Sequence, residues 1–230
     1  MHLLDHQPNK PGYSVRQLEA RRTSKALGLA FLSVLLAVLA IVLLFFSPVA
    51  VLLAAPLVFL SIFVGTRLNQ QSLLVYNARR GAQAEEKVGE CLDNLPGWRV
   101  FHNVLLPEIG DIDHLAVGPG GIVLVETKSQ RGTLVVSRGR IGFKQPLGTR
   151  WSGKNLAAQT RALSEALQQK GLAVTAFLCF PFAQVTPLKV KGIPLVDLKA
   201  LLTAIEQLPQ TYTDAEVTEI CERIDAGLLV

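Results

Sequence analysis

The chain has 230 residues, half of them hydrophobic, and a net charge of +5 at pH 7; its mean hydropathy is +0.35 and its pI about 9.3. That length holds one domain of ordinary size plus an extra segment, and the basic balance suits anionic partners such as nucleic acid or acidic lipid head groups. Three isolated cysteines, Cys91, Cys179 and Cys221, form no Cys-x-x-Cys or Cys/His cluster, which excludes a zinc ribbon or a disulfide framework and points to a reducing compartment.

Residues 1–25 are polar, with Pro8, Pro11 and Gly12 early and Arg21, Arg22 and Lys25 late, and read as a flexible basic tail. Ala26–Phe46 follows without a charge. As a helix it would span roughly 31 Å, enough for a bilayer core. It is too long for the apolar part of a signal peptide, and no small-x-small cleavage site follows. Ser47-Pro48 breaks the run. A second apolar stretch over 48–66, with Pro56 inside, reads as a second crossing, or else as a re-entrant or interfacial segment. Arg21, Arg22 and Lys25 flank one side, and Arg67, Arg79 and Arg80 the other. Both flanks prefer the cytoplasm under the positive-inside rule, which requires an even number of crossings. The expectation is a multi-pass protein of the cell membrane, with its N-terminus and its folded domain in the cytoplasm.

Residues 67–80 read as a linker to a helix over about Gly81–Leu95, with Val88, Leu92 and Leu95 on one face. Glu85 falls on that stripe. An inward carboxylate needs a partner, unless Glu85 sits in the first turn, where the helix dipole favours an acid. Trp98–Leu106 is a strand, followed by a loop with Pro107 and Gly110.

The central stretch is Gly110-Asp-Ile-Asp-His-Leu-Ala-Val-Gly-Pro-Gly-Gly-Ile-Val-Leu-Val-Glu-Thr-Lys128. Ile112–Val117 and Ile122–Thr127 read as strands about a Gly-Pro-Gly-Gly turn. Centring the turn between Pro119 and Gly120 sets Leu115 opposite Leu124, Asp113 opposite Glu126 and Asp111 opposite Lys128, all on one face. Opposed carboxylates repel unless something lies between them, and a hard divalent cation such as Mg²⁺ does that well. A nearby lysine could then hold a phosphate or an attacking water. The alternative is an Asp111–Lys128 surface ion pair beside a solvated Glu126.

Gly132–Ser137 and Arg140–Phe143 are two more strands about Arg138-Gly139, and Gly148–Gly153 reads as a loop. Its Trp151 could be a core anchor, a stacking platform or neither. Asn155–Lys170 is a helix with Leu156, Leu163, Ala166 and Leu167 on its apolar face. Gln159 falls on that face and would point into the carboxylate site or bond a loop carbonyl. Ala173–Phe180 reads as a buried strand and Ile193–Val196 as a shorter one. Asp197 caps a helix Leu198–Leu208, and Thr213-x-x-Glu216 is a capping box for a last helix, about Asp214–Leu229. There is no internal repeat, Gly-rich phosphate loop, Gly-x-Ser-x-Gly or His-Glu-x-x-His motif.

This order of elements resembles the NERD family, the nuclease-related domain of the restriction-endonuclease-like PD-(D/E)xK superfamily. The carriers are Gly81-Ala-Gln-Ala-Glu85, Ile112-Asp-His114, Gly121-Ile-Val-Leu-Val-Glu-Thr-Lys128, Gly132, and Asn155 with Gln159. They cover roughly residues 79–180; Ala84 stands where the family usually has Gly. The resemblance implies an α/β fold, a mixed sheet flanked by helices over 81–196, with the helices of 197–230 packed on it. It also implies metal-dependent cleavage of phosphodiesters, with Mg²⁺ or Mn²⁺ as cofactor. By matching position, Asp113 and Glu126 would ligate the metal, Lys128 would position or activate water, Glu85 would hold the metal–water shell or a second ion, and Gln159 would orient the site. The expected partners are a lipid bilayer and nucleic acid, DNA before RNA, and no organic cofactor. A tethered nucleic-acid-binding module without catalysis is the main alternative, and a scaffold acting through the C-terminal helices a third.

Overall fold

The computed structural model of the chain describes residues 10–46, 51–106, 109–153 and 155–226. They form five helices and ten strands in a mixed α/β arrangement with two sheets. The described residues divide into two compact units, one of residues 14–80 and one of residues 10–13 with 81–226.

In the first unit, α1 spans Tyr13–Phe46. The tail expected through residue 25 is therefore helical from Tyr13. No Gly or Pro follows Gly12 there, good helix formers do, and Arg16 pairs with Glu19 at 2.9 Å one turn on. Helix α2 spans Val51–Asp93 without interruption. The linker expected over 67–80 and the separate helix expected from Gly81 are parts of this one helix. Its stretch after Arg67 contains no proline, and a single glycine such as Gly81 costs only about 1 kcal/mol in a helix. The break at Ser47-Pro48 lies outside the described residues. Ser33 and Ser61 hydrogen-bond each other's carbonyls, Arg22 donates to the Leu74 carbonyl, and Arg79 pairs with Glu19 at 2.8 Å. Among the described residues α1 alone is long and apolar enough to cross a membrane. Phe31, Val34, Leu35, Val38 and Ile41 on it are exposed, so the protein does not itself cover them.

In the second unit the strands are β1 Arg99–Leu106, β2 Gly110–Gly118, β3 Gly121–Thr127, β4 Gly132–Ser137, β5 Arg140–Gln145, β6 Gly148–Trp151, β7 Val174–Cys179, β8 Ala183–Gln184, β9 Leu188–Val190 and β10 Ile193–Val196. A six-stranded sheet runs β1-β2-β3-β7-β10-β9, and a four-stranded sheet runs β6-β5-β4-β8. The β2–β3 turn works because Gly121 sits at φ +107°, a region closed to side chains with a Cβ. Its register is the one expected from turn centring: Leu115 pairs with Leu124 and Val117 with Ile122.

Strand β6 corrects the loop expected over Gly148–Gly153; Trp151 pairs across to Gly142 on β5. Strands β8 and β9 are two and three residues long, too short to leave a periodic signal. Helix α3, Leu156–Gln169, starts at Asn155, whose side chain accepts from the Ala158 N–H. Helix α4, Leu198–Glu206, is capped by Asp197, which accepts from the Ala200 N–H at 2.8 Å. Helix α5, Asp214–Asp225, carries the Thr213/Glu216 capping box. The far end expected near Leu229 lies outside the described residues, as do Pro107 and the start of the tail.

The large sheet is covered on both faces. Leu115, Val117, Ile122 and Leu124 pack in a core with residues of α3, α5 and the four-stranded sheet. Ala116, Val123 and Val125 pack in a second core with Val88 and Leu92 of α2 and Leu201 and Ile205 of α4. Strand β3 lies between the two, and all seven of its residues are buried.

Candidate functional site

Glu126 is the next-to-last residue of this doubly covered strand and is 1% exposed. A carboxylate there has lost its water, and partners must replace it. The Lys128 ammonium donates to Glu126 Oε2 at 2.9 Å. Glu126 Oε1 is buried and has no hydrogen-bond partner. On β2, Asp113 Oδ2 accepts the Thr127 N–H at 2.6 Å.

Turn centring expects Asp113 beside Glu126, and the ladder keeps that register to its last pair, with the Asp113 charge acting on Glu126. The β2–β3 ladder runs only as far as His114 opposite Val125. Beyond it a side-chain carboxylate, not the partner backbone, takes up the β3 N–H, and β3 turns its remaining pairing to β7: Thr127 lies opposite Cys179, and the Lys128 N–H donates to the Cys179 carbonyl. The Asp111–Lys128 ion pair does not form. Asp111 is exposed and pairs with Leu105 on β1, while Lys128 turns to Glu126.

Glu85 is buried on α2, as its place on the Val88–Leu92 stripe predicted. The first-turn reading fails, because Glu85 lies deep inside a helix that begins at Val51. The expected inward turn of Gln159 also fails. Gln159 is exposed, and the buried positions of α3 are Leu156, Ala157, Thr160, Leu163, Ala166 and Leu167. The helix is rotated so that Thr160, whose hydroxyl satisfies itself on the Leu156 carbonyl, takes the inward place.

The charges of Glu85, Asp113, Glu126 and Lys128 feel one another strongly. Burial, then the Asp113 charge, pushes Glu85 up to about 9. Burial and Asp113 push Glu126 up to about 7, against the opposing pull of Lys128. Burial raises Asp113 as well, although Lys128 and the Thr127 N–H work the other way. For Lys128 burial acts downward, but Asp113, Glu126 and Glu85 outweigh it and hold the ammonium above its usual range. The site is thus a cluster of carboxyl groups short of positive charge, with one cation already in place.

Among the described residues no group of three or more His, Cys, Asp or Glu side chains is arranged to hold a metal ion. Glu85, expected as a metal ligand, joins Asp113 and Glu126 through charge and not as a third arm of a ready shell. A two-carboxylate set still fits a hard cation, which is commonly held by one or two carboxylates plus phosphate oxygens and water. The unpartnered Glu126 Oε1 is the oxygen such an ion would take.

Sequence reasoning missed a second polar cluster. His102 on β1 and His114 on β2 share a bond between their Nδ1 atoms at 2.8 Å, and His102 Nε2 meets Asp93 at 3.0 Å. Both rings are buried, and burial holds His114 well below the usual imidazole range, so it is neutral. The signal available was cross-strand placement: the β1–β2 register sets His102 directly opposite His114.

Buried Glu126, half-buried Asp113 and Lys128 form a charged cluster at the end of a central strand of an α/β protein, the kind of perturbed group that gathers at functional sites. Residues 80–182 match the family model of the nuclease-related domain (NERD), which covers the helix end with Glu85, the β2–β3 hairpin and α3. The match associates this part of the chain with nuclease-like function. Comparison with curated proteins and with solved structures gave no match.

Proposed function

We propose that the protein is a metal-dependent nuclease that hydrolyses phosphodiester bonds in nucleic acid while anchored in a membrane, its mixed sheet being of the restriction-endonuclease-like kind. The observation that carries this is the buried Glu126, with one oxygen on Lys128 and the other unpartnered, electrostatically tied to Asp113. Asp113 and Glu126 would hold Mg²⁺ or Mn²⁺. When bound, such an ion supplies Lewis-acid stabilisation of the phosphate oxygens and a more acidic water.

The chain's own groups do the rest. Lys128, held as an ammonium, stands where charge accumulates on the scissile phosphate or the attacking oxygen. Glu85, whose carboxyl keeps its proton up to about pH 9, can donate a hydrogen bond where an ionised acid would repel a phosphate. Burial of Glu126 and Glu85 strengthens each of these interactions.

The anchor is α1 and the apolar part of α2, where Val58, Phe59, Leu60, Ile62 and Phe63 are left exposed. We place both helices across the bilayer, with the N-terminus and the nuclease domain in the cytoplasm, where DNA, then RNA, is available. Reporter fusions at residues 20 and 75 should report the same side; opposite sides would refute the two-span topology. The full chain in detergent should cut DNA or RNA with Mg²⁺ and not with chelator, and Asp113→Asn should lose both Mg²⁺ affinity and cutting. No cleavage of any nucleic acid, with Mg²⁺ affinity unchanged in Asp113→Asn, would leave a binding module without catalysis.

A further inference from the structure

The net positive charge of this protein is local. Eight of its 23 Lys and Arg residues lie between Lys128 and Ser164, and none of its 18 Asp and Glu residues does. The rest of the chain has more acids than bases. That segment contains strands β4, β5 and β6 of the four-stranded sheet, and Arg140, Lys144 and Arg150 lie on them.

Strand alternation sorts its side chains. Leu134, Ile141 and Phe143 enter the core. On the other face Thr133 lies opposite Lys144, and Lys144 opposite Thr149. Gly142 lies opposite Trp151, and that glycine has a reason. A Cβ at 142 would come within 2.7 Å of the Trp151 ring, so its absence lets the indole lie flat on the sheet. Arg140 stands 5.7 Å from the indole centroid, and Trp151 remains 39% exposed. An indole backed by Gly142, with the Arg140 guanidinium over its ring and part of its surface exposed, is not a core anchor.

The same face leads into a groove of about 710 Å³ lined by Arg131, Thr133, Lys144, Gln184 and Phe182. The Phe182 ring has Lys87 at 5.1 Å and Arg131 at 5.3 Å. Lys87 lies two residues beyond Glu85, and Arg131 three beyond Lys128. The second aromatic plane therefore sits between the two segments that carry the carboxylate site.

We propose that the outer face of the β4–β6 sheet, from Trp151 past Arg140 and Lys144 to Phe182, binds a single strand of nucleic acid and leads it to the carboxylates. Aromatic planes alternating with phosphate-binding cations match unpaired bases on a charged backbone, whereas a duplex keeps its base faces stacked inside. The proposal rests on the nuclease reading, whose substrate it names.

The test uses the full chain in detergent with chelator, so that binding is read without cleavage. The probes are an oligothymidylate, a duplex of the same length, and anionic phosphatidylglycerol vesicles. The single strand should bind tighter than the duplex and should quench Trp151 emission, read alone in a Trp98→Phe background. Trp151→Ala should weaken strand binding roughly 5- to 150-fold. Lys144→Gln, an exposed change that spares the fold, should lower the slope of log affinity against log salt by about 0.7. Equal binding of duplex, or unchanged affinity and slope in both variants, overturns the proposal. So does a Trp151 response to vesicles that the oligonucleotide cannot displace, which would make this a lipid-binding face. With Mg²⁺ restored the two readings separate. Strand binding through Trp151 without cleavage supports the face and sinks the nuclease reading. Cleavage unaffected by Trp151→Ala and Lys144→Gln sinks the face and leaves the nuclease reading standing.

Discussion

Strands β3 and β5 are nearly equal in length, yet β3 buries all seven residues and β5 buries three of six. The large sheet has a helical layer on each face, and the small one has a core on one face only. On β5 the charges Arg140 and Lys144 sit at the exposed positions, where hydration is kept and a charge costs little. On β3 the charge of Glu126 is stripped of water and is matched by Lys128. The difference separates two environments. Electrostatic interactions are strong in the doubly covered sheet and weak, numerous and salt-dependent on the open one, which suits the proposed cleavage and the proposed strand capture respectively.

Breaking the buried side should have the largest consequences. Glu126→Gln removes the unpartnered oxygen's charge, and cleavage and Mg²⁺ affinity should both disappear. Lys128→Ala should leave measurable Mg²⁺ binding while cleavage falls about 10²–10³-fold, as when one preorganised donor is lost. Parallel calorimetric titration and single-turnover cleavage separate the two variants; equal loss of metal affinity in both would contradict the assigned roles.

Next in size is the floor of the hairpin. Leu124 is fully buried in the larger core, and Leu124→Ala should cost about 2–5 kcal/mol in chemical denaturation. A cost below about 1 kcal/mol would mean that β3 is not packed on both faces.

A smaller effect is expected from Glu85, and it depends on pH. Its pKa is raised from an ordinary 4.5 to about 9 on folding, so the folded state holds the proton more tightly. Stability from that preference is complete below about pH 4.5 and is lost as pH rises toward 9. In metal-free protein, Glu85→Gln should therefore melt near wild type at pH 5 and above it at pH 8–9. Melting curves that stay parallel across this range would show that Glu85 is not desolvated.

The smallest effect should come from the open sheet. Lys144→Thr should change stability by no more than about 0.5 kcal/mol. A larger loss would show that Lys144 supports the fold and is not held free for an anionic partner.

Much of this protein could be read locally. The Gly-Pro-Gly-Gly turn and alternating branched residues set the β2–β3 register, because a slip by one residue would turn Leu115 and Leu124 out of the core. Two caps were legible for the same local reason: Asp197 and Thr213 each accept an N–H within three residues. The inward place of Glu85 followed from helical spacing alone.

Other features needed the third dimension. The Asp113 carboxylate accepts the Thr127 N–H where the backbone ladder ends, a contact that strand spacing does not announce. Gln159 turns outward because the packing of α3 sets its rotation, and one step of 100° exchanges Gln159 for Thr160. Strand β6 exists because Trp151 has Gly142 to lie on, a partner nine residues away that spacing does not announce. Spacing along the chain decides which side chains share a face. Only packing decides which face is covered, and so whether a charge is solvated, paired or left waiting for a partner.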